Sequence, residues 1–432
     1  MASREKGKSP FHPGQPIPAE LFVGRKLQID RILQRGAAQV AAGKPVAVFV
    51  QGEYGIGKSS IANYVQRVAE KEFKLLRVYV NLGGAEGIGD LAERVLEAVV
   101  RAGEKNSSTA ERVKGWLGKY VGKQEMFGLT LNLEALKAEV PSLSTPGQML
   151  AFLRETLTRM GDAARGVFLV LDELNGIVNN PRFAHFIKGL VEENAMASTP
   201  LPLLLMLCGV EERRRAMIRC HPPIDRIFDI VEIEKMNREE MHEFFERSFR
   251  EAEIKVEPAA MEILVINSAG FPKIMHVVGD EAYYLDRDGV LDFAEATDAV
   301  MNAAEEVGRK YVDQQVYKAL RSPDYHSILR KIASHGPSGD GFTKKDVADG
   351  LTTAEHKKLG NFLQRMKKLN VIRSGDSAGE YVFNVQMVRL YIWLKSIDRA
   401  SPPPVTAGSD AARPAPPGKA KRGSKPVRDA GL

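Results

Sequence analysis

The chain has 432 residues, 44% of them hydrophobic and 27% charged, which is enough for two or three globular domains. Its formal net charge is +6, and its two cysteines, Cys208 and Cys220, lie outside any C-x-x-C pair, which argues against a disulfide framework or a zinc site. Residues 1–10 lack the apolar core of a signal peptide, and the apolar run at 201–210 is too short to span a bilayer. We therefore expect a cytoplasmic protein without a membrane partner.

The first predicted unit is an α/β domain over residues 21–236, preceded by an arm at 1–20. A helix is expected at 26–42, before the first of the buried strands. The five predicted strands cover residues 46–50, 74–82, 167–171, 203–207 and 227–233. Strands that alternate with helices predict a parallel sheet covered on both faces. Residues 90–160 are expected to be mostly helical, with an alternating segment at 127–133 that fits a short strand or hairpin.

A glycine-rich loop separates the first strand from the next predicted helix. It fits the pattern G-x-x-x-x-G-K-[ST] at every fixed position. The phosphate-binding candidates are Gly52, Glu53, Tyr54, Gly55, Ile56, Gly57, Lys58, Ser59 and Ser60. Glycines let backbone N–H groups turn around a phosphate, and the helix N-terminus adds its positive end. The pattern predicts that Lys58 reaches the β- and γ-phosphates of ATP and that the Ser59 hydroxyl holds Mg²⁺; a chance glycine-rich turn is the alternative.

A pair of acids follows the third predicted strand directly. Five apolar residues at 167–171 run into Asp172 and Glu173. This arrangement predicts that Asp172 holds Mg²⁺ through water and that Glu173 orients or deprotonates the attacking water. A solvent-facing strand end without function could also carry two acids, but the phosphate loop upstream favours the nucleotide site.

The rest of the chain is predicted to form a helical lid with a connector at 237–320, a winged helix-turn-helix at 321–396 and a disordered basic tail at 397–432. Helices are expected at 238–253, 257–268, 272–286, 292–320, 324–334, 343–349 and 354–369, followed by a hairpin of 371–373 and 380–383. Asn237 with Glu240, and Thr352 with Glu355, have the spacing of helix-start caps.

The winged-helix segment is basic. Residues 321–395 hold 13 Lys or Arg against 7 Asp or Glu, and residues 401–432 hold six against two. On the 354–369 helix an apolar stripe that begins at Ala354 leaves the basic residues outside, where a recognition helix can contact double-stranded DNA. The candidate DNA-binding residues are Lys357, Lys358, Arg365, Lys367, Lys368 and Arg373. A protein-contact winged helix with a solvated basic face is the alternative, and for the tail a solubilising role is as compatible as DNA contact.

Over residues 20–396 the chain resembles AAA+ ATPases of the origin-recognition or initiator type, which are related to STAND and transposition ATPases. The resemblance rests on the two nucleotide motifs, on Phe22-Val23-Gly24-Arg25 before the first strand, and on Gly270-Phe271-Pro272-Lys273 in the lid. It implies that Val23 and Arg25 line the adenine pocket and that Pro272 and Lys273 form the sensor 2 element, with Lys273 near the γ-phosphate.

The resemblance also implies self-association. Arg226, just before the fifth strand, stands where the family places an arginine finger that acts on a neighbouring subunit's nucleotide; Arg219 and the run Arg213 to Arg215 compete for the role. Replication initiation or loading, transposition and defence all stay open as the biological task, and the sequence does not choose among them.

One feature departs from the family. The fourth strand ends in Leu207-Cys208-Gly209, without the polar sensor 1 residue, so hydrolysis is expected to be slow. Two other functions stay open: a STAND-type signalling switch whose winged helix contacts protein, and a DNA-binding adaptor that holds nucleotide structurally.

Overall fold

The computed structural model describes most of the chain, apart from the termini and several internal segments, the longest of which is 105–142. The described residues are 6–14, 22–104, 143–309, 316, 320, 322–333, 341–348, 350–369, 371–375, 379–383 and 388–392. The predicted strand or hairpin at 127–133 and the tail at 397–432 lie outside these residues.

A five-stranded parallel sheet forms the first unit, as predicted, in the order β2-β3-β4-β1-β5. Its strands are β1 (Val46–Gln51), β2 (Leu75–Asn81), β3 (Gly166–Asp172), β4 (Leu203–Gly209) and β5 (Asp229–Glu232). Every residue of β3 and β4 is buried, so these strands form the centre of the core. The predicted fifth strand was too long at both ends. It starts late because the Pro-Pro pair before it forms a 3₁₀ turn over Pro222–Ile227, and it ends at Glu232.

Helices cover both faces of this sheet. They are α1 (Lys26–Ile32), α2 (Ala38–Ala41), α3 (Lys58–Phe73), α4 (Ile88–Glu104), α5 (Pro146–Met160), α6 (Pro181–Met196) and α7 (Glu211–Cys220). The helix predicted at 26–42 contains a π-helical stretch, Leu33–Ala37. Within that stretch Gly36 approaches β4 closely, since an added Cβ would lie 3.1 Å from a methyl carbon of Leu204.

The described part of the predicted lid contains four α-helices and one short strand pair. They are α8 (Arg238–Glu251), β6 (Lys255–Val256), α9 (Pro258–Ser268), α10 (Pro272–Leu285), β7 (Val290–Leu291) and α11 (Phe293–Val307). The predicted cap is confirmed, because Asn237 and Glu240 form a reciprocal capping box at the start of α8. The parallel β6–β7 pair was not predicted, since two-residue strands leave no periodic pattern.

The described part of the C-terminal unit combines helices with a three-stranded antiparallel sheet in the order β8-β10-β9, and residues 388–392 are also helical. Its elements are α12 (Pro323–Ala333), β8 (Gly341–Thr343), α13 (Lys344–Ala348), α14 (Thr353–Lys368), β9 (Ile372–Ser374) and β10 (Glu380–Phe383). This arrangement is compatible with a winged helix-turn-helix. The Thr352–Glu355 capping box is confirmed. Placing Ala354 in the apolar stripe was wrong: Ala354 is exposed and Glu355 is buried, where its carboxylate accepts a hydrogen bond from Lys331 at 2.7 Å.

Across the described ranges, none of the helices has the length and apolar character needed to cross a bilayer.

Candidate functional site

The glycine-rich loop lies at the carboxyl edge of the sheet, between the end of β1 and the start of α3. A Cβ on Gly52 would lie 2.6 Å from the carbonyl oxygen of Ile233, so no larger residue fits there. Gly55 and Gly57 have φ angles of +77° and +98°, in the left-handed region that glycine adopts without strain. The loop therefore has the tight backbone path that phosphate binding needs.

Lys58 begins α3 and folds back over the loop. Its ammonium group donates to the carbonyl oxygens of Gly52 at 2.9 Å and Glu53 at 2.8 Å. Burial lowers the pKa of Lys58 from its ordinary value. A cation held at this point can contact phosphate oxygens in the loop.

The two acids that end β3 differ in environment. Asp172 is buried, and one carboxylate oxygen accepts a hydrogen bond from the Tyr79 hydroxyl at 2.5 Å. Glu173 is exposed, has a φ of +59°, and accepts a hydrogen bond from the Asn81 amide at 3.1 Å. Asp172 is thus fixed inside the cleft, whereas Glu173 faces solvent, where a water molecule can reach it.

Tyr79 and Asn81 are site residues that the sequence reasoning missed. Both lie on β2, which pairs with β3 so that Asn81 stands opposite Asp172. Burial, followed by the nearby Asp172 carboxylate, raises the pKa of Tyr79 well above its ordinary value, so the phenol stays a hydrogen-bond donor. In the sequence these two residues are visible only as polar residues near the end of a predicted strand. Nothing in the sequence shows that β2 and β3 are neighbours in the sheet.

The residues present fit a magnesium ion. Ser59 and Asp172, the two predicted ligands, line the same cleft, and the Tyr79 hydroxyl in that cleft donates to Asp172. Mg²⁺ prefers oxygen ligands and keeps several waters, so two protein groups are enough. Among the described residues there is no cluster of three or more His, Cys, Asp or Glu that would suit another metal.

The lid contacts the loop directly. The backbone N–H of Lys273 donates to the carbonyl oxygen of Gly55 at 3.3 Å, and Pro272 is the first residue of α10. A Cβ on Gly55 would lie 3.2 Å from the Lys273 side chain. Lys273, Lys58, Asp172 and Glu173 line one cleft of about 340 Å³. The structure therefore brings together the loop, the acids and the lid lysine.

Val23 and Arg25 lie next to this cleft, in a narrow apolar pocket that also includes Ile56 and Pro272. The Arg25 guanidinium donates to the carbonyl oxygens of Ile56, at 3.2 Å, and Glu234. Burial lowers the pKa of Arg25, with the nearby Glu240 opposing that shift. Val23 forms part of the pocket wall, whereas Arg25 ties the loop to the segment that leads into the lid.

Arg226 lies far from the cleft. It is exposed in the 3₁₀ turn before β5, in a groove at the amino edge of the sheet with Arg35 and Lys44. Because β1 and β5 are parallel, this edge is opposite the phosphate loop. Arg214, another candidate for the arginine finger, donates hydrogen bonds within its own chain to Gln51, at 3.0 Å, and to Asp225.

Cys208 and Gly209 end β4 and line the cleft where a sensor 1 side chain is expected. Burial raises the pKa of the Cys208 thiol well above its ordinary value, so the thiol stays neutral.

The predicted DNA-binding residues lie on the surface of the C-terminal unit. Lys357, Lys358, Arg365, Lys368 and Arg373 are exposed, and Lys367 is half-buried. Two of these lysines have partners within the unit. Lys358 forms an ion pair with Asp324, and Lys367 donates to the Ser374 hydroxyl at 2.7 Å and lies over the Tyr381 ring.

Comparison with known proteins agrees with this geometry. Residues 21–218 match the family model of the AAA ATPase domain. This part of the chain is therefore an AAA ATPase domain. No curated protein sequence matches this chain. Among solved structures it is similar to the Walker-type ATPase PABY2304 of Pyrococcus abyssi, with 18% identity, coverage of 86% of this chain and 96% of that chain, and a TM-score of 0.53.

It is also similar to the ORC2 protein of Aeropyrum pernix in its ADPNP–ADP complexes, with 12% identity, coverage of 90% and 97%, and a TM-score of 0.55. Likeness at these identities concerns the fold, which is that of an ORC-like AAA+ ATPase.

Proposed function

We propose that this AAA+ ATPase hydrolyses ATP slowly with Mg²⁺ and couples its nucleotide state to DNA binding through the C-terminal unit. The observation that carries the proposal is the convergence of loop, acids and lid on one cleft, with the Lys273 N–H bonded to the Gly55 carbonyl. A nucleotide in this cleft would contact both the core and the lid, so ATP and ADP would favour different lid positions.

Each residue of the cleft has a distinct task in this proposal. Lys58 and the loop N–H groups bind the phosphates, Lys273 contacts the γ-phosphate from the lid, and Glu173 orients the attacking water and accepts its proton. Bound Mg²⁺ supplies positive charge beside the phosphates, held by Ser59 and Asp172. Tyr79 and Asn81 position the two acids. The apolar Cys208–Gly209 strand end adds no polar contact, which is consistent with slow turnover.

DNA binding is proposed for the winged helix formed by the C-terminal unit. Its helix α14 exposes Lys357, Arg365 and Lys368, and Arg373 lies beyond it on β9. Exposed basic residues on one helix can contact backbone phosphates while the helix lies in a groove. Among the described residues of this unit, no feature selects a base sequence.

Self-assembly is proposed through Arg226. An exposed arginine on the edge opposite the cleft can reach only the nucleotide of another subunit. Arg226→Ala should lower turnover in concentrated, assembled protein and leave nucleotide affinity in dilute protein unchanged. Arg35→Ala, in the same groove, is the control. An equal loss of turnover in dilute protein would contradict a role between subunits.

The experiment for the main proposal measures ATP hydrolysis with and without double-stranded DNA, with Glu173→Gln as the control for contaminating activity. Stimulation by DNA at low salt that fades at high salt is expected, because phosphate contacts release counterions. Turnover that ignores DNA, in a chain that also fails to bind DNA, would sink the proposed coupling.

One contact favours a second candidate, an ATP-controlled switch whose winged helix contacts protein. Tyr391 packs at Gly308, just after α11, where an added Cβ would lie 2.0 Å from the Tyr391 ring. The C-terminal residues are thus seated on the end of the lid. In such a switch ATP would change this contact. Double-stranded DNA would then neither bind to the chain nor stimulate ATP hydrolysis in the experiment described above.

A further inference from the structure

The described part of the amino-terminal arm, residues 6–14, docks on the lid. The Phe11 ring is buried, with its centroid 5.0 Å from that of Phe249 and 6.0 Å from that of Phe244, both on α8. On α10, Gly279 leaves the space for this ring, because an added Cβ would lie 2.2 Å from a Phe11 ring carbon. The seat of Phe11 therefore depends on a glycine in the middle of a helix, where glycine is otherwise unfavourable.

Polar contacts hold the arm on both sides of Phe11. The Ser9 hydroxyl donates to Asp280 at 2.6 Å, and the Tyr283 hydroxyl donates to the Gly7 carbonyl at 2.9 Å. Lys6 forms an ion pair with the buried Asp286 at 3.5 Å. Contacts of this number and kind show a specific docking site rather than a chance contact.

The arm also orients a histidine of the lid. The backbone N–H of His12 donates to Nδ1 of His276 at 3.2 Å. Burial, followed by the nearby His12, lowers the pKa of His276 to about 3, so its imidazole is neutral near pH 7. A neutral imidazole that accepts at Nδ1 carries its hydrogen on Nε2. The arm thus selects the tautomer in which Nε2 is a donor.

This donor has no partner in the described part of the chain. His276 is 3% exposed, and its Nε2 is buried without a hydrogen bond to any described residue. His276, His12 and Gly14 all line the nucleotide cleft, and Lys273 lies one turn earlier on α10. Buried donors nearly always have a partner, so an unpartnered one beside a ligand cleft indicates a ligand acceptor.

We propose that His276 contacts the bound nucleotide by donating its Nε2–H to a nucleotide oxygen or nitrogen atom, and that the docked arm holds His276 in the orientation and tautomer for this contact. The inference rests on the proposed nucleotide binding and adds two elements to that site, a lid histidine and the arm. Release of Phe11 from its seat would remove the His12 contact and weaken nucleotide binding without altering the phosphate loop.

The first test measures the affinity of the full chain for fluorescent ADP and ATP analogues. His276→Phe keeps a ring against Phe244, which lies 4.9 Å away, and removes the donor. Loss of one such hydrogen bond should weaken binding on the order of 3- to 10-fold. Affinity within about twofold of the wild type would overturn the inference and assign His276 to packing alone. A wild-type chain that binds neither analogue would overturn the proposed nucleotide binding and this inference with it.

The second test releases the arm while keeping the histidine. Gly279→Ala places a methyl group in the Phe11 seat, and Gly360→Ala is the matched control, since a Cβ on this α14 residue meets no atom within 4 Å. Gly279→Ala should weaken nucleotide binding as His276→Phe does, and it should speed tryptic cleavage after Lys6 and Lys8 because the released arm can enter the protease active site. Gly360→Ala should do neither.

The double variant separates action through His276 from a general effect on the lid. If the arm acts through the histidine, Gly279→Ala should cause no further loss of affinity in the His276→Phe chain. If Gly279→Ala lowers the nucleotide affinity of the His276→Phe chain as much as it lowers that of the wild type, the arm does not act through His276. Thermal unfolding of each variant shows whether it is folded, and a misfolded Gly279→Ala protein would leave the His276→Phe result to decide the inference.

Discussion

The nucleotide cleft and the basic face of α14 both depend on charged side chains, but these are held in different ways. In the cleft, Lys58 at the start of α3 and Asp172 at the end of β3 are both held by hydrogen bonds to neighbouring groups. On α14, Lys357 and Lys368 are exposed. The electrostatic interaction of a buried, oriented charge with a ligand is strong and short-ranged. Exposed charges interact weakly because water and salt screen them, so their contribution depends on how many of them lie together. We therefore expect single substitutions to matter in the cleft and only combined substitutions to matter on α14.

The largest effect is expected at Glu173. Glu173→Gln removes the group proposed to accept the proton from water, so turnover should fall about 10²- to 10⁴-fold while ATP affinity is retained. Steady-state hydrolysis and nucleotide titration measure the two quantities. Glu212→Gln, at an exposed position on α7, is the control and should behave as wild type. Unchanged hydrolysis in Glu173→Gln would mean that another group serves as the base.

Lys58→Ala should give the next largest effect. Removing a half-buried ammonium group from the loop should weaken ATP binding on the order of 100-fold, because phosphate charge in the cleft would lack its main partner. Lys71→Ala, the same change at the exposed far end of α3, should leave the affinity unchanged. Retained affinity in Lys58→Ala would overturn the assignment of the phosphate loop.

On α14 we expect a moderate effect that depends on which lysines are removed. Lys357→Ala with Lys368→Ala removes two exposed charges, and the slope of log affinity for DNA against log salt should fall by about two. Lys358→Ala with Lys367→Ala should change it less, since these lysines are engaged by Asp324 and Ser374. Anisotropy titrations over a salt series test this pair. Equal slopes in both double variants and the wild type would argue for a protein-contact surface.

The smallest effect concerns stability within the C-terminal unit. The hydrogen bond from Lys331, followed by that from Ser327, lowers the pKa of Glu355 to about 2. Because this folded-state pKa lies below the unfolded value of about 4.3, the stabilisation is fully present above that value and is lost as the pH falls towards 2. Glu355→Gln should therefore lower the unfolding temperature by a few degrees at neutral pH, with a difference that vanishes near pH 2.

Thermal unfolding of both proteins between pH 2 and pH 7 measures this difference. Glu305→Gln, which breaks an exposed ion pair with Arg309, is the control and should shift the unfolding temperature little. A constant difference between wild type and Glu355→Gln at every pH would show that packing, and not ionisation, accounts for the contribution of Glu355.

Prediction from the sequence was most complete where structure is local. The five strands and most of the helices were predicted, because buried strands form continuous apolar runs and helices carry a 3.6-residue period. Boundaries failed where local geometry overrode the pattern, as at the Pro222–Ile227 turn. The capping-box glutamate Glu355 was identified, but its burial was not, since that depends on Lys331 of another helix.

The residues of the candidate site also fall into a group that the sequence predicts and a group that only the structure reveals. Residues 52–60, Asp172 and Glu173 follow from motifs in which neighbours in sequence are neighbours in space. Tyr79 and Asn81 could not be found, because only the pairing of β2 with β3 brings them to the acids. The role proposed for His276 could not be inferred from the sequence, because its contact with the arm joins residues 264 positions apart.

The buried strands, the phosphate loop and the acids after β3 could be predicted without the structure, since each lies in one apolar run or in the loop that follows it. The order of the strands in the sheet, the partners of each charged side chain, the place of Arg226 relative to the cleft and the packing of Phe11 against Gly279 became known only from the folded chain. Those outcomes depend on contacts between residues distant in the chain, and the free energy of such contacts comes from packing and burial, which no local pattern encodes.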